Sequence, residues 1–130
     1  YTLRVNDEYL FVSPGATVKG QQTSTTVNSI SLVVDAPRPT LAQRRALTRV
    51  ASAVLSACYP AGAALPGGAF WRKRVTRPWE KDVGWREKQF GPLKVSWSGQ
   101  GVIEVIEGKR TKPMTAMFLE WPQSSGRCAL

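Results

Sequence analysis

Thr40-Leu41-Ala42-Gln43-Arg44-Arg45-Ala46-Leu47-Thr48-Arg49-Val50-Ala51-Ser52-Ala53-Val54-Leu55-Ser56-Ala57-Cys58 is the stretch on which the fold turns. From Leu41 to about Cys58 the apolar residues recur at helical spacing. Leu47, Val50, Ala51, Val54, Leu55 and Cys58 fall on one face, while Arg44, Arg45, Thr48, Arg49, Ser52 and Ser56 take the other. Thr40 and Gln43 have the spacing of a capping box, and Tyr59-Pro60-Ala61-Gly62 supplies the stop. One long amphipathic helix over about 41–58 is expected, and its single apolar face requires a partner layer.

That layer is read from the segments on either side. Before the helix, Ile30, Leu32 and Val34 alternate with Ser29, Ser31 and Val33, a strand pattern over Val27–Val34 that Asp35-Ala36-Pro37-Arg38-Pro39 terminates. Residues 2–12 hold a strand-like start and a second apolar cluster, interrupted at Asn6-Asp7, with Ser13-Pro14-Gly15 as a turn. Residues 16–26 are polar and read as an exposed edge or a loop. After the helix, 60–92 reads as a long irregular region holding short strands, for instance over Phe70–Thr76. Leu93, Val95 and Trp97 then alternate with Lys94 and Ser96, Ser98-Gly99-Gln100-Gly101 supplies a hairpin turn, and Val102–Glu107 forms the return strand. A basic loop over Gly108–Pro113 leads to a last, apolar strand, Met114–Trp121, suited to a central position. The expected fold is α+β: an antiparallel sheet of about five strands with the one long helix packed on one face. A single domain over 1–130 suits this length, and no internal repeat is visible.

Composition narrows the chemistry. The chain has no histidine, which removes Ser-His-Asp and Cys-His hydrolases, histidine general bases and histidine metal sites. Neither a GxxxxGK[ST] nor a GxGxxG phosphate loop occurs, so no nucleotide cofactor is expected. The two cysteines, Cys58 and Cys128, cannot complete a four-ligand zinc site, and no metal is expected. They suit a disulfide that staples the C-terminal tail to the end of the helix, the alternative being two reduced thiols. A bridge points to a periplasmic or secreted protein, reduced cysteines to a cytoplasmic one. No segment has the length and apolarity of a transmembrane helix. The start at Tyr1 suits a processed form or a cut boundary.

Lys and Arg number 18 against 9 acidic residues, a formal charge of +9 that attracts anionic partners. The strongest candidate surface is the run Phe70–Lys88, where Trp71, Trp79 and Trp85 interleave with Arg72, Arg74, Arg77 and Arg86. Indole rings supply stacking surface and guanidinium groups supply forked donors for carboxylate or phosphate. The competing reading is structural. On a strand over 70–76, Trp71 and Val75 pack inward and the arginines are solvated outside, while Trp79 and Trp85 likewise pin the irregular segment onto the core. Arg44, Arg45 and Arg49 on the helix and Lys109-Arg110-Thr111-Lys112 are further basic groups. Arg44 and Arg45 oppose the helix dipole, which suggests that they face an anionic partner. The expected function is a small, basic, exported, non-enzymatic binding module of accessory, inhibitor or immunity type. It would recognise an acidic protein surface through the Trp/Arg segment. A nucleic-acid module using the same residues is one alternative. A carboxylate-dependent enzyme acting on a glycan is another, drawing on Glu80, Asp82, Glu87, Glu104, Glu107 or Glu120. Anionic glycan is a further possible ligand of the segment.

Overall fold

A computed structural model describes residues 2–5, 8–15, 26–34, 36–60, 62–81, 84–98, 105–110, 114–122 and 127–129. In chain order the elements are β1 (Thr2–Val5), β2 (Glu8–Gly15), β3 (Ser29–Val34), α1 (Leu41–Cys58) and α2 (Gly68–Thr76). A 3-10 turn at Trp79–Lys81 follows, then β4 (Trp85–Phe90), β5 (Leu93–Ser98), β6 (Val105–Ile106), β7 (Lys109–Arg110) and β8 (Thr115–Glu120). The α+β class holds. The main sheet has six strands in the order β1-β2-β3-β8-β5-β4, each neighbouring pair antiparallel, and β6-β7 is a separate small hairpin.

The alternation of β3, β5 and β8 explains the layering. Ile30, Leu32 and Val34 are buried on β3, Leu93, Val95 and Trp97 on β5, and Met117 and Leu119 on β8. Register places Leu32 opposite Met117 and Val95 opposite Leu119, so these rows form one apolar surface. Leu47, Ala51 and Leu55 of α1 join the same core. β8 sits between β3 and β5, the position its apolar content suits.

α1 begins with the capping box that its sequence specifies. Gln43 N–H donates to Thr40 Oγ1 at 3.2 Å and Thr40 N–H to Gln43 Oε1 at 2.7 Å. Its C-terminus is closed by the tail. Cys58 and Cys128 form a disulfide, and Arg127 donates through Nε to Tyr59 O and through Nη2 to Ser56 O, each at 2.8 Å. The guanidinium thus satisfies carbonyls that a helix end leaves unpaired and places positive charge at the negative end of the dipole. Backbone bonds from Arg127 N–H to Cys58 O and from Val27 N–H to Cys128 O continue the tail's attachment to α1 and to the chain just before β3.

Three expectations are corrected. Phe70–Thr76 is helical, lying within α2, so the chain has a second helix and not one alone. The consecutive cations Arg72-Lys73-Arg74 leave no clear apolar period, and Pro78 sets the outcome by holding Arg77 extended (φ −83°, ψ 124°) and ending a helix that opens after Gly67. Second, Leu93–Ser98 pairs with Trp85–Phe90 and with β8. The hairpin turn is Gly91-Pro92, where Gly91 adopts φ +54°, a conformation costly for other residues. The turn expected over Ser98–Gly101 and the start of its return strand fall mostly on 99–104, outside the described residues. What was read as a basic loop from Gly108 begins within the β6-β7 hairpin, turned at Glu107 and Gly108 with φ of 51° and 75°. Third, Arg44 and Thr48 are buried, not solvated, because α2 packs along that side of α1. Asn6-Asp7, the polar run 16–25 and residues 124–126 also lie outside the described residues.

Candidate functional site

The Trp/Arg segment spans α2, the 3-10 turn and β4, and the fold divides its residues between core and surface. Phe70 anchors α2 on the sheet, its ring meeting Phe90 edge-on at 5.0 Å, Trp97 at 5.8 Å and Trp71 at 5.1 Å. One helical turn on, Arg74 is buried with its guanidinium 4.0 Å from the Trp97 ring centre and 5.4 Å from that of Phe70. A buried cation gains from the electron-rich ring faces that enclose it. Trp79 is 1% exposed, and its indole N–H donates to Arg74 O at 2.7 Å. Arg44 reaches across from α1, donating to Val75 O and to Pro39 O, each at 2.7 Å. Arg44 therefore docks α2 onto α1, and its backbone partners replace the anionic partner expected for it.

The sequence-derived residues thus separate. Arg74 and Trp79 are interior and fix the path of the segment. Trp71 is half-buried against the core. Arg72, Arg77, Trp85 and Arg86 are exposed. Arg77 contacts Lys81 O through Nη2 at 3.5 Å.

β4 carries the accessible end of the segment. Its residues Trp85 to Gln89 are all exposed, and Trp85, 51% exposed, stands out among large apolar side chains. Strand alternation sorts them by face. Arg86, Lys88 and Phe90 pair with the core-facing Trp97, Val95 and Leu93, while Trp85, Glu87 and Gln89 share the opposite face. On that opposite face Trp85 leans over β5 toward Phe118 of β8, with ring centres 5.4 Å apart and planes tilted by 35°. Ser96 of β5 lies between Glu87 of β4 and Phe118 of β8, and its small side chain leaves room for the two rings. Trp85, Arg86, Glu87, Ser96 and Phe118 line an open depression of about 330 Å³. On the core-facing side, Lys88 Nζ lies 5.4 Å from the Phe90 ring centre and 5.9 Å from that of Phe70.

Phe118 and Lys88 were not singled out from the sequence. Phe118 carries a signal: it falls out of phase with Met117 and Leu119, which places an aromatic ring on the face away from the core. Of the carboxylates considered for catalysis, Glu120 pairs with Lys94 at 3.2 Å on the surface, Glu107 is exposed at a hairpin turn, and Glu87 is exposed on β4. Asp82, Glu104 and the side chain of Glu80 are outside the described residues. Among the described residues no group of three or more His, Cys, Asp or Glu could hold a metal ion, and no helix is long and apolar enough to cross a membrane. No known protein family, characterised protein or solved structure matches the chain.

Proposed function

We propose that the chain is an exported, non-catalytic binding module that holds an acidic protein surface against the exposed part of its Trp/Arg segment. The observation that carries this reading is the half-exposed indole of Trp85 beside Arg86 on a strand at the end of the sheet. Tryptophan and arginine together are over-represented among the residues that dominate protein interfaces. Arg86 and Lys88 on β4 and Arg72 and Lys73 on α2 add cations that a carboxylate-bearing surface would neutralise. The Cys58–Cys128 bridge supports export to an oxidising compartment.

The test is affinity capture from the exported fraction of the source cells, comparing the native chain with Trp85→Ala/Arg86→Ala. Both replaced side chains are exposed, so the variant keeps its fold. Trp79→Ala would confound the comparison by removing core packing. A partner retained by the native chain and lost by the variant supports the reading; equal recovery by both overturns it. In parallel, tight, steeply salt-dependent binding of single-stranded DNA that the same variant abolishes would transfer these residues to nucleic-acid recognition.

A further inference from the structure

Resting on the proposed acidic partner, we infer how it is held: β4 accepts an extended acidic segment as a seventh strand of the main sheet, by main-chain pairing along Trp85–Phe90. β4 ends the strand order β1-β2-β3-β8-β5-β4, and it pairs only with β5 among the described residues. Trp85 through Gln89 are exposed on both faces of the strand, and α2 reaches it among the described residues only at its end, where Phe70 meets Phe90 and Lys88.

The register identifies which backbone groups are offered. Phe90 and Leu93 flank the Gly91-Pro92 turn, and a hairpin closed by two residues has its flanking pair joined by both backbone hydrogen bonds. Alternation then joins Lys88 to Val95 and Arg86 to Trp97, and directs the N–H and C=O groups of Trp85, Glu87 and Gln89 away from β5. The far side of β5 agrees with this phase. Lys94, Ser96 and Ser98 must then turn toward β8, and there Ala116 N–H meets Ser98 Oγ at 3.0 Å.

The side chains define the occupant. An added strand would set alternate residues beside Arg86 and Lys88 on one face and beside Trp85 on the other. Acidic residues suit the first row, and apolar residues suit the second, where the indole and Phe118 supply contact area. The fitting segment therefore alternates acidic and apolar residues. The charges on β4 also deter indiscriminate pairing of this edge with other apolar strands.

The probe is a capped heptapeptide of alternating valine and glutamate, titrated into the native, disulfide-bonded protein at low salt. A peptide of alternating proline and glutamate has the same charge but lacks the N–H groups and geometry for a ladder. Glu87→Pro puts a ring where an outward N–H stands and spares the β4-β5 ladder; Glu87→Ala controls for the lost carboxylate. The valine peptide is expected to bind, the proline peptide not. Glu87→Pro should lose about tenfold or more in affinity, the equivalent of a lost ladder bond, while Glu87→Ala binds at least as well as the native chain. If Glu87→Pro fails to fold, amide exchange on the native protein decides. Peptide should then slow the Trp85, Glu87 and Gln89 amides, and unchanged exchange there overturns the inference. Equal binding of both peptides, unaffected by Glu87→Pro, overturns strand addition and leaves the acidic-surface reading standing. Binding of neither overturns both.

Discussion

Trp79 and Trp85 lie six positions apart, and replacing each by alanine should have opposite consequences. Trp79 is 1% exposed and donates its indole N–H to Arg74 O, the carbonyl near the end of α2. Burying an aromatic side chain removes about 150–250 Å² from water, which at about 25 cal/mol per Å² is roughly 4–6 kcal/mol. Measured truncations of buried aromatic residues fall at about 3–5 kcal/mol because neighbours partly relax into the space. An unsatisfied Arg74 carbonyl adds about 1 kcal/mol where water does not reach it. Trp79→Ala should therefore cost about 4 kcal/mol, a large share of the roughly 5–15 kcal/mol by which domains are stable. With a urea slope of about 2 kcal/mol per molar, the unfolding midpoint should fall by about 2 M. Trp85 is 51% exposed at the sheet edge, and its replacement should change stability by less than about 1 kcal/mol. Urea titration followed by far-ultraviolet circular dichroism avoids the altered indole signal. A midpoint lowered more by Trp85→Ala than by Trp79→Ala would refute the division of the segment into an interior part and a surface part.

Three further outcomes follow from the geometry. Replacing Cys58 and Cys128 by serine opens a bridge between residues 70 apart, and the chain-entropy relation gives a loss of about 4 kcal/mol, less whatever the tail's backbone bonds retain; a change under 1 kcal/mol would contradict the staple. Arg44→Met removes one bond across the α1-α2 junction, to Val75 O, and one to Pro39 O just before α1, and should cost about 2–4 kcal/mol in urea unfolding, against under about 0.5 for the exposed Arg45→Met. Burial raises the Tyr59 hydroxyl above its ordinary 10.0, and the backbone at Leu93 offsets part of the rise. The folded state then holds that proton more tightly than the unfolded chain. Its contribution is complete below pH 10 and is lost as pH rises through the folded value, so Tyr59→Phe should flatten the fall in melting temperature above about pH 10.

What could be read from the sequence depended on how local the determining forces were. α1 was legible because its capping box and apolar period lie within the helix itself. β8 was legible from its apolar content, with Ala116-Met117-Phe118-Leu119 at its centre. α2 was not, because its three consecutive cations, Arg72-Lys73-Arg74, interrupt any apolar period and its buried face emerges only once Phe70 meets Phe90 and Trp97. The same contact explains Arg44: an arginine in the first turns of a helix reads as solvated until α2 supplies a carbonyl for it. The Trp/Arg segment was found as a unit, but its division was not visible. Trp79 and Trp85 are alike in composition and neighbourhood, and only the 3-10 turn that precedes β4 sends one inward and the other to the edge.

Binding through β4 depends on where charge and aromatic surface lie, not on their total. Residue-resolved NMR of the isotopically labelled, disulfide-bonded protein during titration with the valine–glutamate peptide tests this. Shifts should concentrate on Trp85–Phe90 and Phe118, with the Trp85 indole moving and the Trp79 indole still. Shifts spread evenly over Arg45, Arg49 and Lys109-Arg110, following net charge alone, would contradict it.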